Sequence, residues 1–231
     1  MHRALRQHTR VLRRITPRWL KTYPWYVDAG CDMRRREYRS YDAYVAHQKR
    51  KLSHMKKDVL LEYDVRYREA LRARLVEMHD LRPGTNVLCL AARLGTEVKA
   101  FLDLGCFAVG IDLNPGDDNR YVVVGDFHAL QFASGSVDAV FTNSLDHAFD
   151  LEKIFAEVRR VLKPGGQFIV EMNWGEGEGF RPLFYEALAW RRVDDVVALL
   201  GRCGFSALAR SEFEYPWRGQ HITFEKASPP S

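Results

Sequence analysis

From Gly84 onward the chain alternates short apolar runs with stretches whose apolar residues recur at helical spacing. Asn86–Leu90 reads as a strand, 96–104 as a helix and 108–112 as a second strand. Pro115, Gly116, Asp117 and Asp118 predict a turn in place of a second crossover helix, so that connection is short. Residues 121–125 and 137–143 are the third and fourth strands. Leu151, Ile154, Phe155, Val158 and Leu162 form one helical stripe, with a stop signal in Lys163, Pro164, Gly165 and Gly166. A fifth strand follows over 167–172, then a helix over 193–200 ahead of Gly204. Two late strands, near 207–210 and 222–225, are placed to close the sheet as an antiparallel edge. Strands alternating with helices predict an α/β domain around a mainly parallel sheet.

Ahead of Arg82 the pattern is helical instead. Over 41–80, Tyr44, His47 and Lys51 share one face, and Val59, Leu60, Tyr63, Tyr67, Leu71 and Leu75 form an apolar series. In 1–21, Leu5, Leu12, Ile15 and Trp19 recur at near-helical spacing among Arg3, Arg6, Arg10, Arg13, Arg14, Arg18 and Lys21, with no acidic residue. Pro17 and Pro24 end any helix there. The expected organisation is a basic, mainly helical extension (1–80) on a ligand-binding α/β domain (81–231), with a disordered tail at 228–231.

Composition narrows this picture. At 231 residues and 46% hydrophobic content, one sizeable core plus an extension fits, and two full enzyme domains do not. No apolar run approaches the roughly 20 residues that span a bilayer. The arginines among the first 20 residues argue against a secretory signal. Cys31, Cys89, Cys106 and Cys203 are scattered without a CxxC pair, so no disulfide framework and no metal site is expected, and a reduced, cytoplasmic protein is. Charge is divided: residues 1–80 carry 20 Lys+Arg against 10 Asp+Glu, a net +10, and the remainder 15 against 20, a net −5. A basic front either meets something anionic or is a solvated helical face. For residues 1–21 a membrane-surface or docking helix, a nucleic-acid contact and a mitochondrial-type targeting sequence all stay open. A peripheral membrane location is one consequence of the first.

Four blocks then carry a resemblance. VLCLAARLGTE, AVGIDLN, VVVGDFHALQF with SVDAVFTNSLDHAFD, and VLKPGGQFIVE occur in order over residues 86–172. Together they resemble the core of a class I methyltransferase dependent on S-adenosylmethionine (SAM), in the methyltransferase type 11 group. The resemblance implies a Rossmann-like sheet with helices on both faces and an antiparallel last strand. It also implies SAM as cofactor.

Residue by residue, it makes the loop after the first strand the cradle for the cofactor's methionine end. Families of this type carry an acid at the strand end and then GxGxG. Here Cys89 stands where the acid is expected, Ala91 and Arg93 replace two glycines, and Gly95 remains. Ala91 and Ala92 are small enough for close backbone approach, and Arg93 can pair with a carboxylate through two parallel hydrogen bonds. Asp112, beside Leu113, is expected to accept the ribose hydroxyls, as acids do at this strand end in dinucleotide folds. Asp126 is expected to accept from the adenine amino group, with Phe127 lining the ring. Asn143, Ser144 and His147 follow the fourth strand, where the sheet's carboxyl edge opens to ligand. His147 is the expected base if the acceptor is a hydroxyl, with Glu171 and His128 in reserve; a structural or cofactor-side role for His147 is the alternative. The run 173–180, alternating glycines with acids and aromatics, reads as an acceptor-side loop.

The expected reaction is O-methylation of a sugar, lipid-linked or natural-product hydroxyl, so the expected partner is a small-molecule or glycan acceptor. An RNA methyltransferase and a non-catalytic adaptor using the basic front are the alternatives. An NAD-dependent dehydrogenase would share the sheet but should show GxGxxG after the first strand, which is absent.

Overall fold

Seven strands form one sheet in the computed structural model, which describes residues 23–27, 33–53, 57–79 and 81–227. The strands are β3 (Asn86–Leu90), β4 (Phe107–Asp112), β5 (Val122–Val124), β6 (Val137–Thr142), β7 (Leu162–Asn173), β9 (Phe205–Phe213) and β10 (Gly219–Lys226). Their order is β5-β4-β3-β6-β7-β10-β9. The first five are parallel, and β10 inserts antiparallel between β7 and β9, with Ile222 opposite Val170 on one side and Arg210 on the other. The Rossmann-like sheet with an antiparallel end is therefore present.

Alternation along the strands sorts the core into two layers. Val87 and Cys89 join the cluster under α2 (Lys57–Met78) and α3 (Thr96–Leu102), while Leu88 and Leu90 join the cluster under α4 (Leu151–Val161) and α5 (Val193–Arg202). Tyr67, Leu71 and Leu75 of α2 are fully buried in the first of these clusters, so a helix ahead of residue 81 supplies one layer of the sandwich. Val59 departs from its series and is 53% exposed. Residues 1–22, including the basic stripe, lie outside the described residues, as does the tail. Among the described residues no helix is long and apolar enough to cross a membrane.

Helix α4 shows how local chemistry sets an element. Leu151, Ile154, Phe155 and Val158 are all fully buried, and the Asp150 side chain caps the start by accepting from the Lys153 N–H at 3.1 Å. Replacing Asp150 with alanine should cost about 1 kcal/mol, the usual value of an N-cap, read as a shift in the urea midpoint. A loss below a few tenths would show that the cap contributes nothing.

Two features differ from the sequence expectation. The helix stops ahead of Lys163 as expected, but the fifth strand, expected over 167–172, begins at Leu162: β7 pairs Leu162 with Val137 and absorbs an irregularity between Val137 and Ala139. A second, three-stranded sheet joins β1 (Trp25–Val27), β2 (Met33–Arg36) and β8 (Leu188–Trp190) in the order β1-β2-β8. The Met-Arg-Arg-Arg run of β2 has no apolar alternation to announce it. It is held by the buried Arg36 guanidinium, which donates to the carbonyls of Tyr23, Leu183 and Glu186 and stacks 4.4 Å from the Trp25 ring.

Candidate active site at the carboxyl edge of the sheet

The loop after β3 turns back on itself through three left-handed residues: Ala91 (φ 52°), Arg93 (φ 43°) and Gly95 (φ 81°). Two of these are not glycine, so the path stores strain of roughly 1–2 kcal/mol per residue. Asp112 at the end of β4 braces it, accepting from the Arg93 N–H at 3.0 Å and the Asn114 N–H at 2.7 Å. Each carboxylate oxygen keeps acceptor capacity for a ligand. Gly95 starts α3 against Tyr121, whose Cβ would lie 2.6 Å from any added side chain, so no larger residue fits.

Helix α1 (Tyr41–Ser53) lies over this edge as a roof. Its Tyr44 hydroxyl donates to the His147 carbonyl, Gln48 Nε2 to the Tyr185 carbonyl, and Asn114 Nδ2 donates to the Lys49 carbonyl. Two cavities open beneath it. One, of about 60 Å³, is walled by Tyr44, Leu113, Asp112, Gly125 and Phe127. The other, of about 240 Å³, has Ala92, Glu97, Asn143 and Ser144 on the sheet side and Leu60, Tyr63, Phe180, Leu183 and Trp217 opposite. Ala91, Arg93, Lys51 and His147 belong to both walls.

Of the residues expected from the sequence, Ala91, Arg93, Asp112, Leu113 and Phe127 thus line the first cavity, and Ala91, Ala92, Arg93 and Asn143 the second. Gly95 and Asp126 line neither. The Asp126 carboxylate accepts from the Tyr41 hydroxyl and from both the backbone N–H and Nδ1 of His128. Against the upward push of burial, these hydrogen bonds hold its pKa below the usual range. His128 Nε2 accepts from the N–H groups of Phe149 and Asp150, so both its ring nitrogens are committed. Glu171 lies away from both cavities in a buried cluster with Tyr67, Arg74 and His221.

At the junction, His147 Nδ1 lies 2.9 Å from the Tyr185 carbonyl, which can only accept, so Nδ1 carries the proton. Nε2 then accepts from the Lys51 ammonium at 2.5 Å. Burial, followed by the Lys51 charge, pushes the His147 pKa well below its ordinary value and keeps the ring neutral. Burial and then Arg93 lower Lys51 in turn, against the pull of Asp146, Glu186 and Asp112. Burial and Glu186 raise Asp146. Asp146, His147 and Glu186 bring ligand atoms within 4.8 Å of one another, as a metal site would, but the lone pair a metal would need on His147 is engaged by Lys51.

Comparison with known proteins agrees with this arrangement. The family profile described as "Methyltransferase domain" matches residues 88–170. The chain is 27% identical over 182 residues to the 24-methylenesterol C-methyltransferase 2 of Oryza sativa subsp. japonica, covering 65% of this chain and 50% of that one. It is 36% identical over 111 residues to a demethylmenaquinone methyltransferase of Corynebacterium glutamicum, covering 45% and 46%. Among solved structures, the Burkholderia thailandensis 1,6-didemethyltoxoflavin-N1-methyltransferase, with its substrate and S-adenosylhomocysteine bound, matches with a TM-score of 0.66. That match covers 89% of this chain and all of the other at 20% identity. Residues 88–170 thus match a methyltransferase domain, and the sheet has the fold of the class I SAM-dependent methyltransferases. The chain spans about half the length of the curated relatives it matches.

Against the GxGxG pattern of that resemblance, the loop departs in composition but keeps left-handed backbone. Left-handed residues occupy all three expected glycine positions, and small residues stand where backbone must approach a ligand. The site therefore fits the family's cofactor. Sequence reasoning missed Lys51 as a site residue although it had placed it on a face with Tyr44 and His47. It missed Glu97 and Asp146 as well, although both sit inside the matched blocks. Glu186 had no local signal, because long-range contacts bring its segment to the junction: the β2–β8 pairing and the Ala187 N–H donated to the Asp146 carbonyl.

Proposed function

We propose that the protein is a SAM-dependent methyltransferase whose donor lies along the Ala91–Asp112 side and whose acceptor is a small molecule carrying a hydroxyl. The observation that carries this reading is the pair of cavities meeting at Ala91, Arg93, Lys51 and His147. An acid on one side suits a ribose, and an aromatic wall of Tyr63, Phe180 and Trp217 suits a largely apolar acceptor. The cofactor supplies an activated methyl group. The chain's own residues supply alignment and a place for the acceptor's proton. With His147 Nε2 already accepting from Lys51, the proton acceptor is the Lys51–His147 pair: a neutral Lys51 amine, positioned by the imidazole, takes the hydroxyl proton. Cytoplasmic location and an anionic contact through residues 1–21 are parts of the same proposal.

The first test is calorimetry. SAM or S-adenosylhomocysteine should bind in the micromolar range, about −8 kcal/mol, and NAD more weakly. Binding of NAD without SAM would overturn the reading. Once a radiolabelled-SAM screen has found an acceptor, His147→Ala and Lys51→Met should each lower turnover roughly 100-fold while S-adenosylhomocysteine affinity stays within a few fold. Lost affinity with unchanged turnover of the bound complex would move the pair to the donor side.

A further inference from the structure

Glu97 occupies the first turn of α3, and its side chain forms part of the larger cavity's wall. It is 6% exposed, yet its Oε2 has no hydrogen-bond partner. Oε1 accepts from Asn143 Nδ2 at 2.9 Å, and that amide also donates to the Tyr67 hydroxyl. A buried carboxylate with an unmet oxygen costs free energy unless a ligand completes it.

Its place is held firmly. Asp64 of α2 accepts from the Thr96 hydroxyl and from Lys99 Nζ, each at 2.8 Å, which ties the start of α3 to the layer above. The groups facing Glu97 are Arg93 from the loop, Cys89 from β3, Tyr63 and Tyr67 from α2 and Glu171 from β7. Cys89 is fully buried, and its thiol is pushed up by burial and then by the Glu97 charge, so the two side chains are electrostatic neighbours. Position 89 is where the resemblance expects an acid. The negative charge absent from the strand end is thus present close by, on the next helix.

Resting on the methyltransferase reading, we propose that Glu97 is the anionic half of the site's amino-acid clamp, its Oε2 receiving the α-ammonium of the cofactor's methionine end. Arg93, in the wall of the same cavity, supplies a guanidinium for the carboxylate of that zwitterion. The two charges suit an α-amino acid and discriminate against ligands that lack one. In the unliganded protein, burial raises Glu97 to about 7, against the opposing effects of its own N–H, Arg93 and Asn143. An ammonium binds the ionised form, so ligand uptake at lower pH must displace a proton.

The test compares S-adenosylhomocysteine with 5′-methylthioadenosine, which keeps the nucleoside and thioether and lacks the amino acid. For the native chain, affinity for S-adenosylhomocysteine should rise about tenfold between pH 6 and pH 8, as expected for a group titrating near 7. Affinity for methylthioadenosine should stay nearly flat. In Glu97→Gln, which keeps the acceptor for Asn143, S-adenosylhomocysteine should weaken about tenfold at pH 8 and lose its pH dependence, with methylthioadenosine unaffected. Equal weakening of both ligands, or an unchanged pH profile for S-adenosylhomocysteine, overturns the assignment of Glu97. Failure of the native chain to bind either nucleoside overturns the methyltransferase reading itself.

Discussion

Arg74→Met should destabilise the protein by about 3–5 kcal/mol, the usual loss when one partner of a buried ion pair is removed. Arg74 Nε donates to Glu171 Oε1 at 2.7 Å, with side chains 13% and 0% exposed. Tyr67 donates to the second oxygen at 2.6 Å, and His221 Nδ1 lies 3.0 Å from the first. The guanidinium also donates to the Tyr215 carbonyl and lies 4.6 Å from the Phe213 ring, so it ties α2 to the far edge of the sheet. Methionine keeps much of the apolar stem and strands the carboxylate. For a chain of this size the thermal midpoint should fall on the order of 10 °C. Burial alone would raise the Glu171 pKa, but His221 and Arg74 hold it below the ordinary range. A depressed folded value stabilises the protein above the unfolded carboxylate pKa, about 4.3, and that contribution is lost as pH falls through the folded value. Removing Arg74 removes one cause of the depression, so acid unfolding of the variant should begin at higher pH. Circular dichroism against urea and against acid measures both effects. A loss under 1 kcal/mol with an unmoved acid transition would show that the cluster solvates Glu171 without Arg74.

The same cluster shows where sequence reasoning reached and where it stopped. Tyr67 and Leu71 were legible as an apolar helical series, and the strand carrying Glu171 was legible from its run of apolar residues. That the Tyr67 hydroxyl meets the Glu171 carboxylate is a contact across 104 residues, and no local pattern encodes it. At the active site, β3, β4 and β6 were read within a residue or two because buried parallel strands are nearly continuous apolar runs. The ends of those strands then located Asp112 and Asn143. The function of α1 was hidden for a physical reason. Lys51 reads as an ordinary exposed lysine until Asp146, His147 and Glu186 are gathered around it from segments about 100 or more residues away. Helix α4 and its stop were read correctly, but the next strand starts ahead of its expected place, because pairing with Val137 carries Leu162 directly into β7. The three-arginine strand β2 was illegible, since its stability lies in backbone carbonyls supplied by distant residues. The loop 173–180 was read as an acceptor-side loop. Phe180 does reach the cavity, but Arg34 pairs with Glu176, and Glu178 accepts from the Gly175 and Val193 N–H groups, which pins the turn between them.

Asp112→Ala should weaken SAM binding by one to two decades, the loss of charge-assisted hydrogen bonds worth roughly 1.5–3 kcal/mol. Two separate causes act in that direction. The first is direct: the carboxylate stands in the wall of the smaller cavity with acceptor capacity left over, where a ribose would need it. The second is the brace. The N–H groups of Arg93 and Asn114 both end on this carboxylate, and Arg93 holds a left-handed conformation that a non-glycine residue adopts at a cost. Without the brace the loop can relax toward ordinary backbone angles and withdraw the Ala91–Arg93 wall from the ligand. The two causes separate by experiment. Asn114→Pro removes one of the donated N–H groups, and with it the side-chain bond to the Lys49 carbonyl, but leaves the Asp112 carboxylate in place, so it should disturb the loop and roof while sparing any direct contact by Asp112. If Asp112→Ala weakens SAM far more than Asn114→Pro does, in variants with the same unliganded thermal midpoint, the carboxylate touches the ligand. If the two weaken it alike, Asp112 acts through the loop. A folded Asp112→Ala variant with native SAM affinity would remove both roles and leave this aspartate as a turn residue.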